Sequence, residues 1–254
     1  MSGFVEIEAV TRRFGGLTAV DSVSGRIEEG ELVGLIGPNG AGKTTLFNVM
    51  TGFTPPSSGS VRFRGSTISG LAPWRVARLG VGRTFQNLRI FPNMTVFDNV
   101  SVGAIGRHGH RVTEALLRGA GARARSTAIA GASWSALHRT GLADQADELA
   151  ANLSYGKRKY LEIARALATS PALLVLDEPA AGLNDSETAE LARFIQDLNR
   201  GGITVLLVEH DMALVMGICR RVMVLASGRK IADAPPDAVK ADPAVIEAYL
   251  GVEA

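Results

Sequence analysis

The sequence holds a single cysteine, Cys219, among 254 residues. One thiol cannot close an internal disulfide, so a reducing, cytoplasmic setting is the natural expectation. Charge is also sparse: 20% of residues are charged and the formal net charge is +2. That balance excludes a disordered polyelectrolyte and argues against an electrostatic nucleic-acid binder. No apolar run reaches the roughly 18 residues that would read as a membrane-spanning helix. The first six residues lack a basic stretch followed by an apolar one, so no secretory signal is expected. Work at a membrane would have to go through partner subunits. Nor is there an internal repeat of about 20–50 residues. What is present is apolar material, 46% of the chain. That is enough for one large α/β domain, or for a core with an inserted subdomain.

Residues 4–10 and 19–27 partly alternate apolar and polar, as half-buried strands do. Leu32-Val33-Gly34-Leu35-Ile36 is continuously apolar, the pattern of a strand covered on both faces. A glycine-rich turn and a helical stretch through Leu46, Val49 and Met50 follow, and residues 60–68 read as an edge hairpin. From about 87 to 151 the strand signals vanish, and Ala, Arg and Gly dominate 103–135. This segment reads as an inserted, mainly helical subdomain, with a disordered loop over 103–133 as the alternative. Leu173-Leu174-Val175-Leu176 is a second buried strand, and 204–208 and 221–225 are two more. Between them Leu191, Phe194, Ile195 and Leu198 recur at helical spacing. Strands alternating with helices imply a largely parallel sheet. Pro235-Pro236 ends this core, and 243–250 reads as a short closing helix.

Gly37-Pro38-Asn39-Gly40-Ala41-Gly42-Lys43-Thr44 fits G-x-x-x-x-G-K-[ST] and lies between a buried strand and a helix. Glycines let the backbone wrap close enough for several N–H groups to face phosphate oxygens, and the helix start adds its positive end. Lys43 is expected on the β- and γ-phosphates and Thr44 on Mg²⁺, with Thr45 beside them. Asp177-Glu178-Pro179 directly follows the second buried strand. Asp177 can hold Mg²⁺, usually through water, and Glu178 can polarise the water that attacks the γ-phosphate. Alone, the pair would also fit a strand-end turn, the weaker of the two readings. Together with the loop, it points to nucleoside triphosphate hydrolysis.

Leu153-Ser154-Tyr155-Gly156-Lys157 opens a predicted helix through Ile163 and Leu167, with Ser154 well suited as N-cap. Lying after the phosphate loop and before the carboxylates, it resembles the signature motif of ABC ATPases. The resemblance covers almost the whole chain. It implies a P-loop NTPase (RecA-like) core with a mainly parallel sheet, an antiparallel β subdomain and an inserted α-helical signature subdomain. The corresponding boundaries are 1–86 and 160–235 for the core, 87–159 for the helical subdomain and 236–254 for a C-terminal extension. It further implies that ATP and Mg²⁺ bind. Phe14 then stacks on adenine beside Val20, and Gln86 links Mg²⁺ and the attacking water to the transporter. Ser154 and Gly156 reach the γ-phosphate held by a second ATPase subunit, Ala181-Gly182-Leu183-Asn184 communicates across that dimer, and His210 contacts γ-phosphate. His108, His110 and His138 lie in the polar insert and are read as solvated.

Tyr155, Lys157 and Asn184 depart from the glycine, glutamine and aspartate usual at those places. The runs Arg12-Arg13-Phe14-Gly15-Gly16, Arg83-Thr84-Phe85-Gln86-Asn87 and Ala248-Tyr249-Leu250-Gly251 look like the ATPase subunits of branched-chain amino acid importers. That likeness implies two permeases, a second ATPase subunit (this chain or a paralogue) and a solute-binding protein, with this chain at the cytoplasmic face of the membrane. An importer for urea or amides, a lipopolysaccharide transporter, a soluble ABC ATPase and a P-loop small-molecule kinase are the competing readings. A soluble ABC ATPase would usually carry two cassettes or a long coiled-coil insert, and the signature stretch and His210 argue against a kinase.

Overall fold

The computed structural model describes residues 3–108 and 120–250. The chain divides into two compact units, residues 1–76 with 175–254, and residues 77–174. His110 lies outside the described residues.

The first unit opens with β1 (Val5–Phe14) and β2 (Leu17–Ile27), an antiparallel pair that breaks register at Ala9 and Ser22. Both residues take positive φ, 44° and 52°. Such breaks bend and twist a pair of strands. The chain then enters β3 (Leu32–Ile36), whose residues are all buried, and α1 (Lys43–Met50). A hairpin of β4 (Ser58–Phe63) and β5 (Ser66–Thr67) completes an antiparallel sheet of order β2-β1-β4-β5. A short helix, α2 (Pro73–Arg78), leads into the second unit.

That unit contains β6 (Val81–Arg83), α3 (Val96–His108), α4 (Ala120–Arg139) and α5 (Tyr155–Leu167). The 103–135 stretch is therefore helical wherever it is described, and 109–119 lie outside the described residues. Gly103 lets α3 approach α5 closely, since a Cβ there would run into the carbonyl oxygen of Arg165. Glu162, buried in α5, accepts the Phe85 N–H at 3.1 Å, and Arg165 donates to the Arg89 carbonyl. Burial pushes the Glu162 carboxyl above its ordinary range, and the Phe85 and Arg89 N–H groups pull it back. The segment carrying Gln86 is thus fastened to the helix that begins at Ser154.

β7 (Leu173–Asp177) carries the chain back into the first unit. There α6 (Asp185–Arg200), β8 (Thr204–Val208), α7 (Met212–Ile218), β9 (Arg221–Ala226) and β10 (Arg229–Ala234) follow. Two short helices, α8 (Pro236–Ala241) and α9 (Pro243–Leu250), end the described chain. The strands lie in the order β10-β9-β3-β8-β7, with β3 parallel to both β8 and β9 and β10 antiparallel at the edge. β10 was not foreseen: Arg-Lys-Ile-Ala-Asp-Ala lacks the apolar alternation of a sheet interior, and none of its residues is fully buried. It is held by backbone pairing and by Arg221. That guanidinium bonds Glu31 at 2.7 Å and Asp233 at 2.7 Å.

Candidate functional site

β3, β8 and β7 are neighbours, and the loops that leave their carboxyl ends meet at one edge of the first unit. The crevice beyond such strand ends is where open α/β sheets hold ligands. After β3 comes the loop 37–44. Gly37 (φ 152°) and Gly42 (φ 96°) have backbones closed to other residues. A Cβ at Gly37 would strike the Leu225 carbonyl, and one at Gly42 the Ala19 carbonyl. Gly42 caps α1 without any side-chain hydrogen bond, so the helix start keeps its N–H donors free of side-chain oxygens. Pro38 is half-buried, Asn39 and Gly40 are exposed, and Ala41 is buried, its carbonyl accepting the Gly228 N–H at 3.1 Å.

Lys43 is 6% exposed, and its Nζ donates to Gly37 O at 2.7 Å and Pro38 O at 3.0 Å. Burial holds its pKa below the ordinary lysine value, while the charges of Glu178 and Asp177 pull it back up. The ammonium is therefore near both carboxylates. Thr44 is exposed at the first turn of α1 and Thr45 is half-buried behind it. Asp177, 5% exposed, ends β7. Glu178 takes φ 47°, a left-handed conformation unusual for glutamate, and its N–H donates to Val208 O at 2.8 Å. Strain of this kind clusters at functional sites. His210 Nε2 lies 2.6 Å from Glu178 Oε1, so the imidazole of one loop meets the carboxylate of the next.

Phe14, at the end of β1, is 46% exposed, with the Arg12 guanidinium 4.5 Å from its ring centre. Val20 is fully buried and lies under Gly42, 3.4 Å from where a side chain would begin. It supports the loop from beneath and offers no surface to a base. Gln86, Ser154 and Gly156 belong to the second unit. Gln86 is exposed there, and Ser154 caps α5 with its Oγ accepting the Lys157 N–H at 3.4 Å. Tyr155 is 47% exposed beside it. Asn184 caps α6 in a reciprocal capping box with Glu187, both bonds at 3.0 Å.

Two residues at this edge escaped the sequence reading. Glu209, buried between Val208 and His210, accepts backbone N–H groups from both neighbouring loops. Its signal in the sequence was only its position beside the histidine. Tyr249 of α9 faces the Gly37 backbone; burial pushes its phenol pKa up and the Gly37 N–H pulls it back. The sequence flagged Tyr249 as part of a familiar run without giving it a role. Together the edge offers a cluster of N–H donors, a buried ammonium, two carboxylates and an imidazole. That set suits a polyphosphate and an attacking water. Among the described residues no group of three His, Cys, Asp or Glu could hold a metal by itself. No helix among them is long and apolar enough to cross a membrane.

Comparison with known proteins gives the same direction. The ABC transporter family model matches residues 20–181, and a model for branched-chain amino acid ATP-binding cassette transporters matches 229–254. The chain is 46% identical over 248 residues to the high-affinity branched-chain amino acid transport ATP-binding protein LivG of Salmonella typhimurium, covering 96% of each chain. It is 45% identical over 253 residues to BraF of Pseudomonas aeruginosa, which bears the same description, covering 97% of each. Among solved structures, a nucleotide-free ATP-binding cassette from an ABC transporter superposes with a TM-score of 0.85 at 31% identity, covering 98% of this chain and 99% of that one. An ATP-binding cassette in its ADP conformation gives a TM-score of 0.85 at 31% identity, covering 99% and 100%.

Proposed function

Since the chain belongs to the ABC transporter ATP-binding family, we propose that it hydrolyses ATP to drive an importer of branched-chain amino acids. The observation that carries the hydrolytic reading is the meeting of Lys43, Asp177, Glu178 and His210 where β3, β7 and β8 end. The solute follows from full-length likeness to LivG and BraF and from the match of the C-terminal residues.

Each residue then has a task. Backbone N–H groups of 40–45 and the Lys43 ammonium bind the β- and γ-phosphates, whose charged oxygens are stronger acceptors than the carbonyls of Gly37 and Pro38. Phe14 gives adenine a face to stack on. Thr44 and Asp177 would hold Mg²⁺, since a hydroxyl exposed at the helix start and a carboxylate at a strand end are hard oxygen donors. Gln86 is assigned to the same ion by resemblance. When bound, Mg²⁺ neutralises charge on the phosphates. Glu178 orients the attacking water and accepts its proton as oxygen bonds to the γ-phosphorus. The bond to the β-phosphate oxygen breaks, and ADP and inorganic phosphate leave. His210 holds a γ-phosphate oxygen.

Ser154 and Gly156, exposed or half-buried at the start of α5, serve the nucleotide of a second ATPase subunit in a head-to-tail pair. The pair docks on two permeases at the cytoplasmic face of the membrane, through the segment after Gln86. A separate solute-binding protein delivers the cargo, and a heterodimer with a paralogue is favoured.

Glu178→Gln keeps the side-chain volume and removes the base. It is expected to bind ATP, form a longer-lived dimer and lower phosphate release by about 100-fold or more. Multiple-turnover hydrolysis at the unaltered rate would remove Glu178 from the base role. Uptake by vesicles carrying the permeases, tried with leucine, isoleucine, valine and urea, tests the solute. Uptake of urea alone would overturn the branched-chain assignment.

A further inference from the structure

β7 and β8 lie side by side, and each ends in a loop that carries one reactive group, Glu178 or His210. Where the two strands end, the Glu178 N–H donates to Val208 O at 2.8 Å. Beyond that point the strands have ended, and a side chain takes over. Glu209 is 3% exposed. Its Oε1 accepts the Ala180 N–H at 2.8 Å, in the loop after β7. Its Oε2 accepts the N–H of His210 at 2.9 Å and of Asp211 at 3.4 Å, in the loop after β8. One oxygen serves each loop. Asp211 in turn caps α7 through the Leu214 N–H at 2.9 Å, so the second loop is tied to a helix as well.

A buried carboxylate is costly unless its lone pairs are filled, and packing alone would be met by an apolar or amide side chain. Burial pushes the Glu209 carboxyl above its ordinary range and the charge of Glu178 adds to that push. The three N–H donors oppose it. An amide could not replace it: glutamine has one acceptor oxygen and would turn N–H groups against the N–H donors of the other loop. The grip on both loops requires two acceptor oxygens on one group.

We propose that Glu209 is a positioning residue for hydrolysis, a two-sided clamp that fixes the loop of Glu178 and the cross-dimer segment 181–184 against the loop of His210. The inference rests on the hydrolytic reading above. Through this clamp a displacement of 181–184 by a partner subunit is passed to His210 without crossing the nucleotide.

The test compares the full-length chain with Glu209→Gln, Glu209→Asp and His210→Ala. Three quantities are measured: ATP affinity by equilibrium titration, steady-state phosphate release, and amide hydrogen exchange. In Glu209→Gln, ATP affinity and KM are expected to stay within about twofold while kcat falls about tenfold or more, the pattern of lost positioning. Exchange should rise in the peptide whose N–H groups then face the amide, 179–183 or 209–212, with β3 and β8 unchanged. Glu209→Asp, one methylene too short to span both loops, should release one of the two. An unaltered kcat beside an impaired His210→Ala overturns the proposal, as does unaltered exchange in both peptides in Glu209→Gln. A loss of ATP affinity and thermal midpoint in step with kcat overturns it too, since that is the mark of a general structural role. If His210→Ala itself hydrolyses ATP normally, the hydrolytic reading fails, and that outcome is distinct from a failure of the clamp.

Discussion

Lys43 is a buried cation and Arg221 a half-buried one in the same unit, and their surroundings give them opposite characters. Lys43 faces backbone carbonyls and loses proton affinity to burial, so it is poised to exchange neutral acceptors for charged ones. Arg221 is raised above its ordinary value by its bonds to Glu31 and by Asp233, and it has no exchange to make. For Glu31, burial alone would raise the pKa, but the Arg221 guanidinium and the Glu28 N–H outweigh it and hold the carboxyl below the usual carboxylate range. A carboxylate with a depressed folded pKa contributes stability that is complete above its unfolded pKa and lost as pH falls through the folded value. Thermal stability should therefore hold from neutral pH down to about pH 5 and fall below that. Arg221→Met should cost about 2–3 kcal/mol at pH 7, less than for a fully buried pair because these side chains keep some exposure. The loss should shrink as acid neutralises Glu31, and melting curves of both proteins across pH 3–7 would check it. At this scale Lys43 stood in a pattern with its own chemical reading, while Asp177 and Glu178 gained theirs only beside the phosphate loop and His210 only through the resemblance. Glu209 and Val20 were not legible. Their roles depend on which backbone atoms surround them, and no spacing in the chain records that.

Asn184 shows how an element can absorb a departure from a family pattern. It stands where aspartate is usual, yet it completes the capping box of α6 with Glu187. Asn and Asp are near-equal N-caps, so the substitution leaves the helix intact. Asn184→Ala should cost about 1 kcal/mol while Asn184→Asp changes stability by a few tenths, as denaturant titration would measure. The helices α5 and α6 were readable from their apolar spacing, Ile163 with Leu167 in the first and Leu191 with Ile195 and Leu198 in the second, all buried. The strands β3, β7 and β8 were readable because every residue in them is buried. α4 was harder, being rich in Ala, Arg and Gly with most of its described residues exposed or half-buried. β10 was missed because an edge strand held by pairing and ion pairs need not alternate.

For the whole molecule, the lone cysteine is a measure of folding. Cys219 is buried beneath β3, where a Cβ at Gly34 would come within 3.3 Å of its sulfur. Burial pushes its thiol pKa to about 12. Reaction requires thiolate, so the native protein should be inert to a disulfide reagent at pH 8, and the unfolded chain should react within seconds to minutes. Labelling rates across a urea series would then report opening of the core, and rapid labelling without urea would refute the burial. The contact between Tyr249 and Gly37 carries a consequence of another kind. The chain has three tyrosines, Tyr155, Tyr160 and Tyr249. Fluorinated tyrosine would give a spectrum of three lines, one from the phosphate loop, one from the exposed start of the signature helix and one from its next turn. Nucleotide arrival and subunit closure would then appear as separate signals from a protein with its native side chains otherwise in place.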